Sequence, residues 1–146
     1  MSKAFTKEDD APLERSTRTR TTPGLPPGAP NYMTTNGAKR LRAELTNADG
    51  ERAAEIARIL ASVTIVERPI ETPEAVVIGA KVELRDADGN TASYRIVGVD
   101  EQHFEPGWVS WTSPIGRSLL GTEVGERVLL EVDGNPRKFT IVRIDF

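Results

Sequence analysis

Two carboxylates, Asp49 and Glu51, flank Gly50 in the stretch Thr46-Asn-Ala-Asp-Gly50-Glu51. A close acidic pair of this kind suits oxygen ligation of a hard cation, provided that both groups reach the ion. The same residue types also serve at helix starts, where Asp caps free N–H groups and Glu complements the helix dipole. His103 is the only histidine, with Asp100 and Glu101 close by in sequence. A metal site there would need carboxylates as its other ligands, and adjacent turn residues seldom point at one ion, so a solvated loop histidine is the simpler expectation. Ser110, Ser113 and Ser118 are the hydroxyls near this stretch, but no base is positioned to activate any of them, and Ser113 reads better as a helix cap. Cysteine is absent, which excludes disulfides, thiolate zinc sites and cysteine catalysis. The glycines sit at turns and match no phosphate-binding pattern.

These residues must be positioned by few elements, because 146 residues make one domain, or one small domain with an appendage. A net charge of -3 gives no reason to expect nucleic-acid binding. No apolar run approaches the roughly 18 residues that span a bilayer, and the N-terminal residues lack a signal-peptide apolar region, so a cytoplasmic protein is expected. Residues 1–31 read as a disordered tail: five of the ten prolines fall here and large apolar side chains are few. Arg15, Arg18 and Arg20 could touch an acidic partner, although a solvated tail is the plainer reading.

From Thr34, a plausible N-cap, the residues Ala38, Leu41 and Leu45 form one helical stripe. Ala53, Ile56, Ile59 and Leu60 form a second, over about Glu51 to Ala61. The turn Thr46–Gly50 between them predicts a short antiparallel helical hairpin over residues 32–62. The period then changes to two. Strands are predicted at Val63–Glu67, Val76–Arg85, Ala92–Val99, Trp108–Trp111, Arg127–Val132 and Arg137–Phe146. Asp86–Asn90 and Asp133–Asn135 supply turn residues. Ser113 and Pro114 begin a short helix through Leu120, with proline at the first helical position. The order predicts an α+β fold with a mostly antiparallel sheet in residues 63–146. Trp108 and Trp111, three apart in a strand, should point to opposite faces, leaving at least one partly exposed as a candidate interface residue.

Several segments together resemble the Gre family of bacterial transcript cleavage factors. Met33–Leu45 resembles the opening of their N-terminal coiled coil, and Val76–Leu84 the first strand of their C-terminal domain. Tyr94-Arg-Ile-Val-Gly-Val-Asp-Glu101 and Ser113-Pro-Ile-Gly-Arg-Ser-Leu-Leu-Gly121 resemble its two most recognisable motifs, with Gly116 where alanine is usual. The Leu-Pro-Pro-Gly stretch in the tail is similar to longer GreB-type N-termini. The resemblance implies an FKBP-like C-terminal domain that docks at the rim of the RNA polymerase secondary channel. It places the docking surface on Trp111, Thr112, Ser113 and Pro114, supported by Ile115 and Arg117; family members often carry an acidic or amide residue where Thr112 stands.

Family members also insert a long hairpin whose tip Asp and Glu help hold a magnesium ion at the polymerase active centre. That motif is missing, and about forty residues of coil and tip are replaced by Thr46–Gly50. The expectation is therefore a non-enzymatic, cofactor-free polymerase-binding elongation regulator that does not stimulate cleavage and competes with true Gre factors. No membrane contact and no sequence-specific nucleic-acid binding are expected. The alternative is retained cleavage stimulation through Asp49 and Glu51. Prolyl isomerisation, suggested by fold analogy alone, needs an aromatic-lined apolar pocket, and aromatics make up only 5% of the chain.

Overall fold

A computed structural model describes residues 24–146. Arg15, Arg18 and Arg20, and most of the expected tail, lie outside the described residues. The tail reading ran through residue 31, but Asn31 is already buried in strand β1 (Asn31–Thr34). Helix α1 (Thr35–Asn47) follows directly, then Ala48 and Asp49, helix α2 (Gly50–Ser62) and strand β2 (Val63–Val66). The Thr34 hydroxyl accepts from Gly37 N, as its place at the N-cap predicts. The two helices fold back on one another around Met33, Ala38, Leu41, Ile56 and Ile59. Across their outer face Arg52 Nη2 donates to Glu44 Oε1 at 2.8 Å, and this hydrogen bond holds the Glu44 carboxyl below its ordinary range. Strands β1 and β2 pair in parallel, Asn31 opposite Val63 and Thr34 opposite Val66, closing the hairpin at its root.

The remaining strands are β3 (Lys81–Asp86), β4 (Thr91–Val97), β5 (Trp108–Ser110), β6 (Arg127–Val132) and β7 (Asn135–Asp145). They form one sheet in the order β5-β4-β3-β7-β6, antiparallel except for the β4–β5 pair. The short helix α3 (Pro114–Leu119) closes the core with Leu119 against Val82, Leu84, Ile96, Phe139 and Ile141. The class is α+β, as expected. The predicted strand Val76–Arg85 is shorter than its apolar run: Val76–Ala80 is a turn around Gly79, at φ +97°, and regular pairing starts at Lys81. In β7 the register against β3 jumps from Arg143 opposite Glu83 to Ile141 opposite Leu84, so Val142 is an extra residue. This bulge shifts the inward phase, and Ile141 and Ile144 are both buried although three apart. No helix of the described residues is long and apolar enough to cross a membrane.

A buried polar contact joins the hairpin to the sheet domain. Glu101 is fully buried. Its Oε2 accepts from the backbone N–H of Thr34 at 2.9 Å and of Gly98 at 2.8 Å, and its Oε1 accepts from the Thr34 hydroxyl. Gly37 and Gly98 leave the room for this: a Cβ on Gly37 would lie 1.9 Å from Glu101 Oε1, and one on Gly98 1.9 Å from the Tyr32 carbonyl oxygen. At the rim of the same junction Arg40 pairs with Glu105 at 2.9 Å and covers the Phe104 ring at 4.8 Å.

Burial raises the Glu101 carboxyl pKa, only partly opposed by the hydrogen bonds from Thr34 and Gly98. A folded-state pKa above the unfolded value gives stability that is fully present below the unfolded pKa and lost as pH rises through the folded one. Glu101→Gln keeps the shape and removes this titration. Urea unfolding of both proteins from about pH 4 to about pH 8 should show the native chain losing stability relative to the variant as pH rises. A constant difference across that range would contradict the assignment.

Candidate docking segment

The residues singled out between Trp111 and Arg117 are brought together by a hydroxyl-built turn between β5 and α3. Ser113 Oγ donates to the Ser110 carbonyl at 2.7 Å and accepts from Gly116 N at 3.0 Å, which makes it the N-cap of α3. Pro114 occupies the first turn, where a missing N–H is no loss, and stands exposed. Arg117 Nη1 reaches back to the Thr112 carbonyl at 2.9 Å, bracing the turn from the helix side while the residue stays exposed. Ile115 is half-buried against the sheet core.

Thr112 is placed differently from an open contact residue, with 9% of its surface exposed. Its N–H donates to Ser110 Oγ at 3.0 Å, and the two hydroxyl oxygens lie 2.7 Å apart. Its own proton goes to the Gly24 carbonyl at 2.6 Å. A hydroxyl has one proton, so Ser110 must be the donor to Thr112.

The predicted strand Trp108–Trp111 ends at Ser110, so Trp111 lies in the turn that follows and strand alternation does not place it. Trp111 packs on the core and meets the Tyr32 ring edge-on at 5.3 Å, with its Nε1 buried and lacking a hydrogen-bond partner. Trp108 faces the hairpin root, near Phe104 at 6.2 Å and beside the guanidinium of Arg40 at 5.6 Å. Both are half-buried, so neither is wholly a core residue.

The other candidates stay apart. Asp49 takes the N-cap position of α2 but makes no side-chain cap hydrogen bond, and Glu51 lies in the first turn; both are exposed at the hairpin tip. His103 is exposed and touches the edge of Phe104 at 5.3 Å. Its neighbour Glu101 is the residue that sequence reasoning missed, having been weighed only as a turn carboxylate. A cleft of about 560 Å³ opens at the hairpin root, lined in part by Thr35, Arg68, Arg95, Trp108 and Phe146. Its rings face cations, with Arg95 6.0 Å from Trp108 and Arg68 5.7 Å from Phe146. This is unlike the bare apolar slot that prolyl isomerisation would need, and no residue of the 111–117 segment lines it.

The family described as "Transcription elongation factor, GreA/GreB, C-term" matches residues 71–146, just over half the chain and all of the docking segment. A protein of Magnetococcus marinus named transcription elongation factor GreA is 34% identical over 96 residues, covering 65% of this chain and 61% of that protein. A transcription elongation factor GreB of Pseudomonas aeruginosa is 39% identical over 80 residues, covering 55% of this chain and 47% of its own length. The matches thus span about three fifths and about half of these two relatives. Among solved structures, the GreA factor homolog Gfh1 of Thermus thermophilus aligns at 24% identity and a TM-score of 0.47, over 81% of this chain and 100% of that one. A GreA/GreB factor from Nitrosomonas europaea aligns at 18% identity and a TM-score of 0.48, over 81% of this chain and 99% of the other.

Gly116 is required by the turn. A Cβ there would lie 2.0 Å from the Ser110 carbonyl oxygen and 3.0 Å from Trp111 Cα, both backbone atoms that cannot rotate away. Gly116→Ala should therefore destabilise the protein by about 1–3 kcal/mol, the scale of overpacking, read as a lower urea midpoint. An unchanged midpoint would show that α3 can shift without loss.

Proposed function

Because the chain belongs to the GreA/GreB family of transcription elongation factors, we propose that it is an RNA polymerase-binding regulator of transcription elongation that docks without stimulating transcript cleavage. Docking is assigned to Trp111–Pro114 with Ile115 and Arg117, at the rim of the polymerase secondary channel. The observation that carries the reading is the length of the arm. Each hairpin helix has 13 residues, so the tip stands about 20 Å beyond the root. The arms that the family resemblance implies are more than twice as long and bring their acidic tip to the active centre. Asp49 and Glu51 are carboxylates of the right kind at a tip that stops short. A protein that occupies the rim without delivering a metal-binding tip acts as a competitor of full-length Gre factors, and it is a binding module in place of a catalyst.

Backtracked elongation complexes test this directly. The protein alone should leave RNA cleavage at its unstimulated rate and, when titrated, should suppress cleavage stimulated by an authentic Gre factor. Pro114→Glu should weaken that suppression about tenfold, the effect of losing one anchor contact worth about 1.4 kcal/mol. Replacing both Asp49 and Glu51 by alanine should change nothing. Cleavage by the protein alone, abolished by the double alanine variant, would establish the alternative, an active cleavage stimulator.

A further inference from the structure

The chain ahead of β1 stays on the domain. Gly24 accepts from the Thr112 hydroxyl at 2.6 Å. A Cβ on Gly24 would stand 3.8 Å from Val99 Cγ1 and 4.0 Å from Thr112 Oγ1, so the backbone lies against both. A turn follows, with Ala29 N donating to the Pro26 carbonyl at 3.1 Å. Asn31 Nδ2 then donates to Asp100 Oδ2 at 3.0 Å, and the Tyr32 ring meets Trp111. Residues 24–32 thus form a strap along Val99, Asp100, Trp111 and Thr112.

Within the 111–117 segment the strap holds Thr112 through Gly24, and Trp111 lies next to it against Tyr32 of β1. The only proton of the Thr112 hydroxyl is committed to Gly24. The Trp111 indole N–H is buried without an acceptor. Burying a donor and leaving it unsatisfied is unfavourable, so a partner that offers a carbonyl or carboxylate beside Thr112 gains from both side chains. Pro114 and Arg117 remain open beside Thr112.

We infer that residues 24–30 are an intramolecular cover over the docking segment, displaced when the protein binds its partner surface. This rests on the docking reading above. The partner competes with the Gly24 carbonyl for the Thr112 hydroxyl, and its apparent affinity falls with the fraction of molecules in which the strap is closed. A surface that presents hydrogen-bond acceptors opposite Trp111 and Thr112 is the kind that opens it.

The strap can be disturbed without touching the docking segment. Gly24 and Gly28 adopt φ values of +83° and +77°, whereas proline is confined near −65°. Gly24→Pro and Gly28→Pro in the full chain should therefore release the strap. Gly28 offers a second route because nothing lies within 4 Å of a Cβ there. Dissociation constants for core RNA polymerase would be measured for the native chain, both proline variants and Pro114→Glu. Both proline variants should bind about fivefold tighter, the worth of one neutral hydrogen bond, and Trp111 emission should shift to the red. Equal or weaker binding by the proline variants, with the native chain binding and Pro114→Glu impaired, overturns the cover alone. Binding by the proline variants only supports both ideas. Binding by none of the proteins overturns the docking reading and the cover with it.

Discussion

A buried carboxylate at the junction of two layers is the constraint around which the molecule is arranged. Among the described residues Glu101 is bonded to no arginine or lysine; its partners are two backbone N–H groups and one hydroxyl. An ionised group withdrawn from water is tolerable only while such partners are in place. Those partners come from opposite sides of the junction, Thr34 from the end of β1 and Gly98 from the loop after β4. The Thr34 hydroxyl also receives the N–H of Gly37, so the helix cap and the interlayer contact are the same group. Sliding the hairpin root along the sheet would break both Thr34 contacts together. Gly37 and Gly98 are small because the carboxylate and the Tyr32 carbonyl fill the space where a side chain would begin.

The candidate docking segment is organised by the same economy of short polar groups. Ser110, Thr112 and Ser113 satisfy one another and the exposed backbone of the turn, and Arg117 holds the Thr112 carbonyl from the far side. The rigidity of this turn comes from hydroxyls and from one glycine against a carbonyl. Its geometry is therefore preset, and Pro114 is presented from a fixed platform. The strap adds one bond to the platform, from the Thr112 hydroxyl to Gly24.

Local chemistry was legible in the sequence, and long-range closure was not. Thr34 and Ser113 were readable as caps because a hydroxyl three residues ahead of a free N–H makes its contact within one turn. Pro114, the early hairpin turn and the β6 boundaries followed from equally local signals. Strand β1 was missed because four residues, two of them Asn31 and Thr34, carry little pattern, and their partner lies across the whole hairpin. Val76–Ala80 looked like a strand because it is apolar; it is buried as a turn instead, with Val76 bonded through both backbone groups to residues 121 and 122. Nothing in the order Asp100-Glu101 separates a surface carboxylate from a buried one, because its site is made by glycines 64 positions upstream and three positions upstream, at Gly37 and Gly98. The bond from Thr112 to Gly24 spans 88 positions and is likewise invisible in one dimension.

The parallel clasp of Asn31–Thr34 on Val63–Val66 has a consequence for how such a protein can change over generations. The contacts that fix the foot of the hairpin lie at that clasp and in the first turns of α1, in Glu101, Thr34, Gly37 and Arg40. Everything that decides how far it extends lies beyond, between Leu45 and Ile56. Whole turns inserted in both helices, or removed from both, leave the foot in register because each added turn pairs with its opposite number. Reach and footing are therefore separately heritable. A change of length between Leu45 and Ile56 alters the reach of the hairpin and leaves the contacts of Glu101 with Thr34 untouched.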